Sequence, residues 1–304
     1  GCRVEYLPSD IPLHFILELT DGRDTATVEV RHSHMNVVAL SRNGEDIFRL
    51  PEEEQGTGAD RSELNIGSIK EFADTVPAER IKPLFDKQIR YNMDIAYEGI
   101  SGDYGLNIGR MIRSSYPDGV VTRMKAYAAA ASDARMSGCE MPVCILSGSG
   151  NQGITASVPV LVYAEALGAD EDKILRALIV SDLRTGHQKS GIGCLSAYCG
   201  AISAGCGAGA GIAYLNGGNA HAIAHTVVNA IAILSGTICD GAKPSCAAKI
   251  AAAGEAGILG YHMYLEGQQF YSGDGIVTKG VDNTVYNVGK LAREGMRQTD
   301  RTIL

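Results

Sequence analysis

Apolar and polar positions change period once along this chain. Leu13–Leu19 is largely apolar and runs into Thr20-Asp21-Gly22-Arg23-Asp24, a turn composition. Thr25–His32 then alternates β-branched and polar residues, and Asn36–Leu40 leads to the turn Arg42-Asn43-Gly44-Glu45. These runs predict a small antiparallel sheet over residues 1–58. Residues 51–62 are a polar, acidic connection. The spacing is helical after Ser68, where Ser68-Ile69-Lys70-Glu71 reads as a capping box. Pro77-Ala78-Glu79-Arg80 opens another helix, and the pattern continues through Val120–Met136, Val158–Leu167, Glu171–Leu183, Ala220–Leu234, Ser245–Leu265 and Thr284–Thr299. The fold class is α+β: a small antiparallel β region followed by a large, mainly helical domain over 59–304.

Composition sharpens the picture. Of 304 residues, 37 are Gly and none is Trp, and much of the Gly lies in Gly/Ala-rich apolar stretches. That composition predicts closely packed helices rather than linkers. Net charge is −8, which excludes a phosphate-binding surface as the main feature, so no nucleic-acid partner is expected. The uncharged run at 194–215 is long enough for a bilayer. Its few large aliphatics and its cysteines favour a buried helix, so no membrane association is expected. Eight cysteines without a signal peptide or a secreted-scaffold spacing predict a reducing, cytoplasmic setting.

Two stretches could carry chemistry. Cys199, Cys239 and Cys246 are separated by 40 and 7 residues within small-residue surroundings. Three thiolates can hold an iron–sulfur cluster and leave one iron open to substrate, whereas small buried hydrophobes would need no such shared setting. Zinc fits these gaps poorly, because it prefers four ligands in closely spaced pairs. The run Ser147-Gly148-Ser149-Gly150-Asn151-Gln152-Gly153 precedes an apolar helix beginning near Ile154. Its glycines admit a ligand, and the helix N-terminus offers N–H groups to a carboxylate. A plain capping loop is the alternative. Alternation places His32, His34 and Asn36 on one strand face, as polar site wall or, less readily, a two-His metal site. His187 and Lys189 precede the Cys199 segment, and either could be a proton donor. Lys243 lies between two of the cysteines. Asp133 and Arg135 do not face each other on a helix and could project from a loop into a cleft.

The segments ASDARM (131–136), SGSGNQGITA (147–156), LSAYCGA (195–201), CDGAKPSCAAK (239–249) and MRQTDR (296–301) resemble the cysteine desulfidase family, a relative of the iron–sulfur L-serine dehydratase alpha chain. The resemblance implies a pyridoxal-independent β-elimination of L-cysteine to pyruvate, ammonia and sulfide on a [4Fe–4S] cluster, with no pyridoxal phosphate. It assigns the cluster ligands to Cys199, Cys239 and Cys246. Cys194 competes for the first place, but the Leu-Ser-Ala-Tyr-Cys pattern favours Cys199. It also implies that Ser147, Ser149, Gly150, Asn151 and Gln152, with His34 and Asn36, border the pocket of a small amino-acid substrate. L-serine is not separated from L-cysteine, and a non-enzymatic cluster- or amino-acid-binding module is the other alternative. The family's N-terminal Gly-Cys-Thr-Glu-Pro motif has no match at Gly1-Cys2-Arg3-Val4, so Cys2 inherits no catalytic role and the catalytic base is unassigned, with Lys189 a weak candidate. The departure implies a chain inactive by itself, completed by a missing region, by another chain or in a homo-oligomer.

Overall fold

The structure is a computed structural model that describes residues 1–303 apart from 8, 10, 12, 34, 52–59 and 194–195. It divides into two compact units, Gly1–Asp60 and Arg61–Leu304.

The first unit is an antiparallel meander of β1 (His14–Thr20), β2 (Thr25–Arg31), β3 (Val37–Arg42) and β4 (Glu45–Arg49), in that order across the sheet. Asp21 shapes the first turn, its carboxylate accepting from the Arg23 and Asp24 N–H groups at 2.8 Å each. Asn43 and Gly44 both adopt positive φ, the twist a two-residue hairpin requires. The short, exposed β4 was not expected from sequence. His32 and Asn36 do not continue the β2 strand face. β2 ends at Arg31, and His32 turns to φ 67°. The Asn36 amide is spent within the same turn, donating to the Arg31 carbonyl at 2.9 Å. His34 lies outside the described residues.

The second unit is helical: α1 (Ile66–Thr75), α2 (Ala78–Ser101), α3 (Ile108–Ser115), α4 (Val120–Met136), α5 (Gly150–Leu167), α6 (Glu171–Ile192), α7 (Gly200–Leu215), α8 (Ala220–Leu234), α9 (Ser245–Leu265), α10 (Val281–Lys290) and α11 (Arg297–Ile303). The capping box at α1 is set three residues earlier than expected. Asn65 is the cap and accepts from the Ser68 N–H at 3.0 Å, while the Ser68 hydroxyl accepts from the Asn65 N–H at 3.1 Å. Asn at the cap supplies the acceptor that Ser68 was expected to supply. The last predicted helix is broken by a π-helical turn at Leu291–Gly295.

The composition is explained by α7. Nearly every residue of it is buried, and it packs against α5, α6, α8 and α9. A Cβ on Gly209 would lie 2.6 Å from the Gly257 carbonyl of α9, so these backbones meet where any side chain would separate them. Burial among helices accounts for the uncharged run. Among the described residues no helix is long and apolar enough to cross a membrane.

Candidate functional site

The cysteines are brought together by a two-strand bridge and two helix starts. Tyr198 pairs with Ile238 as an isolated antiparallel bridge. The Cys239 N–H donates to the Ala197 carbonyl at 2.7 Å and the Cys199 N–H to Thr237 at 3.2 Å. This pairing closes the 40-residue gap and sets Cys199 against Cys239, and the two sulfurs share a hydrogen bond. Cys199 caps α7. The Ala197 N–H is held in turn by the Asp300 carboxylate of α11, which ties the C-terminal motif to this strand.

Charge is distributed unequally in the pair. The hydrogen bond from Cys199, the Gly241 N–H and Lys249 draw the Cys239 thiol down to about 6, against the cost of its burial. The same hydrogen bond, with burial added, pushes Cys199 well above the usual thiol range. The contact and the Lys249 charge thus favour thiolate character within the pair. Cys246 opens α9, and its Sγ donates to the Gly241 carbonyl at 3.7 Å. Gly241 thus touches both Cys239 and Cys246, one through its N–H and one through its carbonyl. Among the described residues no three His, Cys, Asp or Glu groups are close enough to enclose a metal ion. Of the three thiols, two are in direct contact and the third is turned to the loop between them.

Lys249 is a member of this site that sequence reading missed. Its ammonium donates to the Ile238 carbonyl at 2.7 Å and to Asp240 at 2.9 Å, and its charge acts on both Cys199 and Cys239. The signal was its place one turn after Cys246 on α9. Lys243 bonds Asp240 instead of the thiols. Its partnership with Lys249 holds the Asp240 carboxyl far below the ordinary range, Lys243 making the larger contribution.

The Ser147–Gly153 run reaches the same place from α5. A tight turn, with reciprocal bonds of 3.1 Å between Leu146 and Ser149, delivers the chain into α5 at Gly150. The helix starts four residues before Ile154, because Asn151 and Gln152 are its buried first turn. The Gln152 amide lies on Gly200, where a Cβ would be 2.4 Å from Nε2. Gln152 Oε1 is buried without a partner. Arg135, in the last turn of α4, lies against Gly150, where a Cβ would be 2.4 Å from its Nε, and Cys246 acts on its charge. Arg135 therefore projects from a helix rather than a loop. Asp133 does not share its cleft: the carboxylate accepts from the Gly109 N–H at the start of α3, and burial raises its pKa.

The N-termini of α5, α7 and α9 thus meet around Cys199, Cys239 and Cys246, with Arg135 and Lys249 beside them. Helix N-termini carry partial positive charge, so the arrangement stabilises thiolates and receives carboxylates. Lys189 and His187 lie within α6, towards its C-terminal end. Lys189 is 5% exposed. Burial, with the Arg184 charge second, draws His187 down to about 4, so it is neutral at ordinary pH.

The serine dehydratase alpha-chain family model matches residues 26–304. The UPF0597 protein of Desulfitobacterium hafniense is 54% identical over 99% of this chain and 71% of its own length. Similar proteins occur in Lachnoclostridium phytofermentans, at 46% identity over 100% of this chain and 73% of the relative, and in Treponema denticola, at 41% over 99% and 72%. With the match covering most of the chain, including all three cysteines and both surrounding motifs, this protein belongs to the serine dehydratase alpha-chain family.

Proposed function

We propose that this chain is the cluster-carrying part of a pyridoxal-independent lyase that eliminates the β-substituent of a small L-amino acid, with L-cysteine as substrate and pyruvate, ammonia and sulfide as products. The observation that carries the reading is the contact of Gln152 with Gly200, which joins a carboxylate-receiving helix start to the cysteine turn.

A [4Fe–4S] cluster suits the donor set. Cys199, Cys239 and Cys246 are soft thiol ligands, and Arg135 and Lys249 offset negative charge there. Two thiols already in contact support binding, and Cys246, now bonded to the Gly241 carbonyl, would supply the third thiolate. When bound, such a cluster supplies an open iron acting as a Lewis acid.

The chain's own residues do the rest. The α5 N-terminus, Ser147, Ser149 and the side chains of Asn151 and Gln152 receive the substrate carboxylate. Removal of the α-proton drives its electron pair into a Cα–Cβ double bond, and HS⁻ leaves from Cβ and takes up a proton. The aminoacrylate tautomerises to an imine, which water hydrolyses to pyruvate and ammonia. Lys189, in the buried last turn of α6, is the chain's candidate for the proton transfer. The described cysteines are all free thiols, which suits a reducing, cytoplasmic setting.

L-serine is the second reading, supported by the family's own description. Anaerobic assay of sulfide from L-cysteine against ammonia from L-serine separates them, using this chain alone and extended to the length of its relatives. Sulfide release lost on Cys239→Ala supports the proposal, while turnover indifferent to that substitution overturns it.

A further inference from the structure

Far from the cysteines, at the start of α8, two histidines face each other. His221 and His225 are four residues apart, so they occupy one face of the helix. Their Nε2 atoms are 3.0 Å apart and their rings 4.2 Å between centroids. Tyr264 of α9 walls the pair, with ring centroids at 5.8 Å from His221 and 6.0 Å from His225. The Gln269 side chain hydrogen-bonds His225, the kind of outer partner that fixes which ring nitrogen keeps its proton. His221 is exposed and His225 half-buried, so the shared space between the nitrogens is open to solvent.

We propose that His221 and His225 form a bidentate site for a divalent transition metal that favours right-angle coordination, nickel(II) or copper(II), completed by water. The bite carries the choice of metal. Nitrogens 3.0 Å apart, each about 2.05 Å from a metal, subtend about 94° there. That angle matches the right angles of octahedral or tetragonal nickel(II) and copper(II), and falls short of the roughly 109° of tetrahedral zinc. Two His at this helical spacing are also the ligand pair of helix-borne metal motifs. The site is separate from the cysteine turn, since the rise from His225 to the end of α8 at Leu234 alone is about 14 Å.

Nickel(II), which does not oxidise thiols, is the probe. Calorimetric titration at about pH 7.5 compares the parent chain with His221→Ala and His225→Ala. Nickel held by cysteines is common to all three and cancels. The expected result is one additional nickel on the parent, lost or weakened about tenfold or more in each variant. Zinc should bind the pair more weakly than nickel. Identical isotherms in all three, or loss in only one variant, would overturn the bidentate site. Zinc binding the pair more tightly than nickel would overturn the right-angle assignment. The exposed His221→Ala change carries the test if the half-buried His225→Ala lowers stability.

Discussion

The Gln152 amide rests directly on the α-carbon of Gly200, leaving no room for a methyl group between α5 and the start of α7. Cys199 is the residue just before that contact. The first turn of α5 and the cysteine turn are therefore in direct contact.

Gly200→Ala tests that coupling. The added Cβ would meet Nε2 at 2.4 Å and the amide carbon at 2.7 Å. Because the obstacle is the end of a flexible side chain, the fold should survive while Gln152 is displaced. The expected outcome is a melting temperature within a few degrees of the parent, with elimination activity reduced about tenfold or more, as one mispositioned donor costs. Unchanged activity would remove Gln152 from the site.

Gly153→Ala should behave differently. Its Cβ would come within 1.9 Å of the Cys144 carbonyl, a backbone atom that cannot swing aside. A loss of stability of about 1–3 kcal/mol, read by denaturant titration, is expected from such overpacking. A neutral effect would mean that the 144–153 segment is not held as described.

Asp182 supplies a pH signature. Its Oδ2 accepts from Gln88 at 2.8 Å, Oδ1 has no partner, and burial raises its pKa to about 7. An unfolded Asp titrates near 3.9. The folded state holds the proton more tightly, so this group's contribution to stability is complete below about pH 4 and is lost as pH rises through 7. Asp182→Asn should flatten the fall in stability between about pH 4 and 7. At pH 8 it should be more stable than the parent by on the order of 1–3 kcal/mol. Parallel stability curves for the two proteins would contradict the assignment.

Lys249→Met should loosen the cysteine turn. It removes the bonds to Ile238 and Asp240 and the cation beside Cys199 and Cys239. Iron retained after anaerobic reconstitution should fall severalfold, with little change in helical content by circular dichroism. Full iron retention would show that the neighbouring charge is dispensable.

The fold was legible where periodicity was sustained. Val120–Met136 and Ser245–Leu265 were read with the bounds α4 and α9 have. β4 and α3 were missed, being five and eight residues long, too short to sustain a period. His32 illustrates a different failure: strict alternation was assumed through a residue that adopts positive φ. In the site, sequence motifs named the cysteines and the Ser147–Gly153 run. They could not say that Arg135 and Lys249 stand beside the thiols. Arg135 meets Cys246 across more than a hundred residues, a relation that tertiary packing alone creates. The sequence set Lys189 only by its place before the Cys199 segment, whereas α6 continues through it and buries it.

Anaerobic reconstitution with iron and sulfide tests the central claim most directly. Analysis of the desalted parent chain should give about four iron and four sulfide per chain, with the absorption of a [4Fe–4S] cluster. Each of Cys199→Ala, Cys239→Ala and Cys246→Ala should lose that cluster, while Cys206→Ala keeps it. A parent chain that retains no iron, or a cluster that survives all three substitutions, would contradict the account.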